Sequence, residues 1–264
     1  MTMNLYWLYD LPNWLFFFLT ALVFIIFSLL GAFLFSTKFE NKLNLKPEHN
    51  TIVSTFLGLS GVFYGITLGL IAVGTFENFN AIEHKVNNES SSLSALYRDV
   101  SMFEKNQKEA LKLILKEYTI CVINQDWIQQ KHGILPKEST KLMDKFQIEF
   151  SNYIPETKKD EIIYSKSLAQ YNEFIEKRTL RLNAITASLP STIWLVLFLG
   201  ALVNIVLTWL LVIKNKKLDI LINILSGLLL GSLIFLIAAM DNPFRGEYCV
   251  SADSFQLLLD GLMK

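Results

Sequence analysis

The 264-residue sequence is 52% hydrophobic and 18% charged, with 24 basic and 24 acidic side chains. A formal net charge of zero removes the electrostatic case for a nucleic-acid partner, and Cys121 and Cys249, far apart in sequence, suggest neither a disulfide framework nor a metal cluster. The apolar residues gather into four long stretches around one charged middle segment, which describes a polytopic membrane protein and excludes an ordinary soluble globule.

Residues 14–35, 52–76, 191–213 and 218–240 each reach the length that a helix needs to cross a bilayer, and none has a charged residue in its interior. The requirement is roughly 20 apolar residues for a hydrocarbon core about 30 Å thick. The first stretch follows a dozen residues without Lys or Arg and precedes no small-x-small cleavage pattern, so it is expected to stay as a membrane helix. The predicted fold is all-α: a polytopic membrane protein with four transmembrane helices and a helical extramembrane domain inserted between the second and third. The expected divisions are an N-terminal membrane hairpin (1–76), the helical domain (77–188), a C-terminal membrane hairpin (189–240) and a tail (241–264) with a short amphipathic helix.

The second span carries the densest pattern. Gly58, Gly61, Gly65, Gly69 and Ala72 recur at three- and four-residue steps and form one small-residue strip along a helix. Between membrane helices the hydrophobic drive is weak, and such strips let backbones approach until dispersion contacts hold them. The partner is either another span of the same chain or a second copy. On an adjoining side, Ser60, Tyr64 and Thr67 place hydroxyls at i, i+4 and i+7 as a candidate pore lining, with Phe56, Phe63 and Leu70 as candidate apolar constrictions. The alternative use of those hydroxyls is a bond back to the carbonyl four residues earlier.

Residues 77–188 hold few turn signals, with Pro136 and Pro155 as natural breaks. Ala81, Val86, Leu93, Leu96, Tyr97, Val100 and Phe103, then Leu111, Leu115, Tyr118, Val122 and Trp127, predict amphipathic helices. Glu104, Lys105, Glu109 and Lys112 read as a solvated face. The second span is expected to run on through Glu77, and residues 171–187 to run on into the third span, giving two helical stalks. Orientation divides the signals. Lys38, Lys42 and Lys46 in the first short loop and Lys214, Lys216 and Lys217 in the second favour cytoplasmic loops and an external domain. Lys85, Lys177, Arg178, Arg181 and Arg245 form a positive flank on the domain's own side.

Residues 214–217 make the last two spans antiparallel neighbours. Asn204 and Asn223 are expected to hydrogen-bond between them, and Gly227 and Gly231 give the fourth span a close-packing face. No Asp, Glu or His lies near a midplane, which weighs against proton pumps and many ion-coupled transporters. A membrane-surface turn follows at Asp241, Pro243, Phe244, Arg245 and Gly246, with Asp241 and Arg245 expected to pair across it. Ser251 then caps a helix over 252–263 with Phe255, Leu258, Leu259 and Leu262 on one face. His49, His84 and His132 lack metal-ligand spacing, and no phosphate loop, nucleophile elbow or zinc motif is present. No catalysis, metal or cofactor is expected.

Two stretches carry a family resemblance: Gly61-Val-Phe-Tyr-Gly65 through Phe76-Glu77-Asn78-Phe79 to Glu89 and Ala95-Leu96-Tyr97-Arg98, and Asp241-Asn-Pro-Phe-Arg-Gly246 followed by Val250-Ser251. From the second span to the C-terminus the sequence resembles the bestrophin-like family of bacterial and plant membrane proteins, itself distantly similar to bestrophins. The resemblance implies a pentameric channel, mainly for anions, with the second span lining the pore and the insert in the cytoplasm. Position by position it bears on Gly61, Tyr64, Gly65 and Thr67. The sequence carries neither a three-aromatic neck nor an acidic calcium clasp of bestrophin type, so the ion sign stays open between an anion and a potassium-type cation.

The expected function is a homo-oligomeric ion channel, pentamer or tetramer, spanning the cell membrane several times, the inner membrane in a bacterium. Its partners are copies of itself, inorganic ions and membrane lipid. The alternative is a non-conducting membrane signalling or scaffold protein that acts through its helical domain. A small transporter would need discontinuous helices or internal repeats, which four uninterrupted spans do not offer.

Overall fold

A computed structural model describes residues 5–264. Long runs of helix-forming residues without internal proline produce α1 (Asn13–Lys42), α2 (Asn50–Asp99), α3 (Lys105–Cys121), α4 (Trp127–Lys131), α5 (Glu138–Ser151), α6 (Lys158–Asn183), α7 (Ser191–Trp209), α8 (Lys216–Asp241) and α9 (Asp253–Leu262). A π-helical turn, Val122–Asp126, joins α3 to α4. Helices α1, α2, α7 and α8 contain four stretches long and apolar enough to span a membrane, and the fold is all-α with four candidate spans. Pro12 and Pro190 immediately precede α1 and α7, where a missing N–H removes no helical bond.

Two boundaries differ from the sequence pattern. Helix α2 does run unbroken for 50 residues, but α6 stops at Asn183 and residues 184–190 turn before α7 begins. Leu189 precedes a proline, which disfavours the helical region for it, so the second stalk is not continuous helix. Helix α7 ends at Trp209, four residues before the expected limit of 213.

The described residues fall into two compact units. The first takes the described part of Met1–Glu77 with Ser188–Asn242 and Gly246–Tyr248. Within it α8 lies along α1. A methyl group at Gly227 would stand 2.7 Å from Ile25 Cα, and one at Gly231 would stand 2.7 Å from Ala21 Cα, so the two backbones touch. Polar side chains tie this pair to α7. The Asn223 Oδ1 accepts from Ser28 Oγ of α1 at 2.9 Å and Thr208 Oγ1 of α7 at 3.3 Å, and Trp209 Nε1 donates to Ser28 O at 2.9 Å. The indole of Trp209 fills the space in front of Gly31. Asn204, expected to bridge spans, returns its NH2 to Gly200 O of its own helix at 2.9 Å. The Asp241 carboxylate accepts from the Leu189 N–H at 2.5 Å and from the Trp194 indole at 3.3 Å. Gly246 has φ +86°, the left-handed conformation that a side chain would strain.

The second unit is Asn78–Ala187 with Pro243–Arg245 and Cys249–Lys264. Here α3, α5, α6 and α9 surround the latter part of α2, around Ile82, Leu93, Leu96, Leu115, Phe146 and Phe174. Ala81 is exposed and Ile82 takes its expected place in the core. Phe150 stacks on Tyr164 and Phe146 on Tyr171, with ring centres 4.9 and 5.2 Å apart. Phe244 and Phe255 pack on Trp127, whose indole donates to Val250 O at 3.1 Å. The guanidinium of Arg245 lies against Gly133. Ser251 Oγ accepts from Asp253 N at 3.4 Å as α9 begins. Lys112 is not simply solvated: its ammonium sits 4.4 Å from the centre of the Tyr97 ring.

Charge lies at the centre of this unit. Arg181 Nε donates to Glu89 Oε2 at 2.5 Å and Nη2 to Oε1 at 3.1 Å, while the Tyr118 hydroxyl donates to Oε1 at 2.6 Å. Arg178 reaches Ser139 Oγ at 3.1 Å and Thr140 Oγ1 at 2.8 Å. Two arginines counted as a positive membrane flank are therefore buried inside the helical unit. Burial works against the Arg181 charge, and the Glu89 carboxylate more than restores it, leaving its pKa raised. Burial, then Glu89, raise the Tyr118 phenol well above its usual value.

Arg181→Met strands a buried carboxylate, and thermal or chemical unfolding is expected to show a loss of about 3–5 kcal/mol. The double variant Glu89→Gln, Arg181→Met should recover part of it. Burial, then the Asp126 carboxylate, push the Cys121 thiol up to about 11, so it stays protonated at pH 8. In a Cys249→Ser background, native protein is expected to resist alkylation at pH 8 and to react after unfolding.

Candidate pore helix and intramembrane cleft

The membrane part of α2 carries no charged residue, and its own chain covers little of it. In its apolar window 6% of the residues are buried within the chain, against 28–33% for the other three spans. One narrow side does pack. Leu68 is buried with Leu197, Ile234 and Ile237. The Tyr64 hydroxyl donates to Leu197 O at 2.7 Å, and its ring occupies the space that a side chain at Gly200 would need.

The glycine strip lies beside that packed side and meets no helix. A methyl group at Gly58, Gly65 or Gly69 would find nothing within 4 Å, and one at Gly61 would find only Asn204 Oδ1, at 3.9 Å. Ala72 is half-buried beside the Leu68 cluster. Within the chain, Gly58, Gly65 and Gly69 thus face open space. Gly227 and Gly231 have the α1 backbone directly before them.

Ser60, Tyr64 and Thr67 line one wall of a cleft of about 310 Å³, with Phe63 beside them and Val196, Leu199, Gly200, Val203 and Asn204 of α7 opposite. The hydroxyls are largely engaged. Thr67 Oγ1 donates to Phe63 O at 2.9 Å, the bond back along the helix, and Tyr64 is committed to Leu197 O. What they present to the cleft is mainly lone pairs. Phe56, Phe63 and Leu70 are uncovered, at 55%, 66% and 70% of full exposure. Around the turn, on the side opposite Tyr64 and Leu68, Leu59, Val62, Ile66 and Val73 are equally uncovered. Gly200 and Gly31 were not singled out by spacing, because the aromatic rings that need their space come from distant parts of the chain.

A bestrophin-like domain profile matches residues 22–255. The chain belongs to the bestrophin-like family. Its fold is shared with a bacterial bestrophin homologue from Klebsiella pneumoniae. One mutant form of that protein has a TM-score of 0.68 at 13% identity, covering 92% of this chain and 98% of that one. A second form gives the same score and identity over 94% and 99%. A structure described as that of a membrane protein matches at a TM-score of 0.68 and 12% identity, over 92% and 97%. At these identities the likeness establishes the fold. No curated protein matches the sequence.

For this bestrophin-like chain, the contact of Tyr64 with Gly200 makes a direct prediction. Gly200→Leu is expected to lower the melting temperature in detergent through overpacking worth about 1–3 kcal/mol, and a second change, Tyr64→Ala, should restore part of the loss. Tyr64→Phe alone removes one hydrogen bond and is expected to cost about 1 kcal/mol.

Proposed function

We propose that the chain assembles with copies of itself, as a pentamer or tetramer, into a cell-membrane ion channel whose pore is lined by α2. The observation that carries this reading is the bare state of α2, whose glycine strip is unopposed while α1 and α8 already share close contacts. Lipid tails gain little from such a strip, whereas a second helix backbone gains dispersion contacts along its length. Family membership supports the same reading, because the resemblance to bestrophins implies a channel lined by the second span.

In a ring of copies, α7 and α8 stand outside each α2 and the glycine side meets a neighbour. The side opposite Tyr64 and Leu68 then turns to the axis, which brings Val62, Ile66 and Val73 to the wall with Phe63 and Leu70 on their flank. Ser60 and Thr67 lie at the edge of that wall, and Tyr64 anchors α2 to α7. An apolar wall of this kind gates by wetting and dewetting and leaves the ion sign, anion or potassium-type cation, to groups at its ends.

Purified protein in planar bilayers under asymmetric potassium chloride is expected to carry a current whose reversal potential gives the ion sign. Gly65→Leu meets open space within one chain, so it is expected to fold, to lose its higher oligomers and to lose the current. Normal assembly and current in that variant would count against the packing, and silent bilayers with monomers or dimers in detergent would favour a signalling or scaffold role.

A further inference from the structure

The centre of the helical unit contains more polar atoms than its side chains can satisfy. Glu89 from α2, Tyr118 from α3, Asp126 from the π-helical turn, Gln130 from α4, Ser139 from α5, and Arg178 and Arg181 from α6 are all buried. Glu89 is fully engaged by Arg181 and Tyr118. Five buried atoms remain without a protein partner: Asp126 Oδ2, Gln130 Oε1, Gln130 Nε2, Arg178 Nε and Arg181 Nη1. Asp126 interacts electrostatically with both arginines and with Glu89, and Gln130 follows it by one helical turn.

The chemistry of the unsatisfied set selects its occupant. Three of the atoms are donors and two are acceptors. An inorganic anion would satisfy the arginines but face two carboxylates, and a cation would face two guanidinium groups. An apolar molecule would satisfy none of them. Water both donates and accepts, and it fills buried sites that offer it two to four polar partners. The π-helical turn ends on Asp126, which it presents buried.

We propose that Asp126, Gln130, Arg178 and Arg181 form a sealed hydration site in which ordered water completes the hydrogen bonds that the side chains leave open. This water is an integral part of the helical unit. Burial raises the Asp126 pKa above the usual carboxylate range, with Ser139 and the two arginines pulling the other way.

The test is a structure of the full chain at a resolution that shows ordered water, followed by exchange of chloride for bromide. Density is expected about 2.6–3.2 Å from Asp126 Oδ2 and from at least one free arginine nitrogen, without a bromide signal. Asp126→Asn, which keeps an acceptor, should retain the density, and Asp126→Leu should lose it. A dry site in the wild-type chain, or a bromide peak at the same position, would overturn the proposal without any variant having to fold.

Discussion

Where Gly227 and Gly231 face Ile25 and Ala21, the backbones of α1 and α8 touch with no room for a methyl group between them. Two helices at that separation in lipid are held by close dispersion contact, the main attraction left to them when the solvent is as apolar as their side chains. The rest of the membrane unit follows from that pairing. With α1 and α8 occupied by each other, α7 closes on them through Trp209 and Thr208, and α2 is held on the narrow side that carries Tyr64 and Leu68.

One helix thereby serves two different solvents. Up to Glu77, α2 is uncharged and belongs to the first unit; beyond it, the same helix becomes amphipathic and supplies Ile82, Val86, Leu93 and Leu96 to the core of the second. The change is one of side chains alone, because a helix satisfies its backbone hydrogen bonds internally in either setting. Glu89 brings a carboxylate into that core, stabilised by a bidentate guanidinium and a phenol.

Much of this was legible in the sequence. Four apolar runs predict four spans because hydropathy and length are local properties, and the uninterrupted pattern through Glu77 predicts the continuity of α2. Local pattern fails where the partner is remote. The strip from Gly58 to Gly69 reads as close packing, yet spacing alone does not say against what. Gly200 and Gly31 show no motif, since Tyr64 and Trp209 create the need for them. Arg178 and Arg181 look like a membrane flank beside Lys177, and nothing nearby reveals that Glu89, Ser139 and Thr140 wait for them in the core.

Asn50, the first residue of α2, uses both ends of its amide on one residue: Nδ2 donates to Val212 O at 3.0 Å and Oδ1 accepts from Val212 N at 2.9 Å. Together with the bond from Tyr64 to Leu197, this fastens α2 at two points, one at its entrance and one about four turns further along, to α7 and the segment that follows it. A rod pinned twice to the same support resists sliding lengthwise, since both pins must shear together.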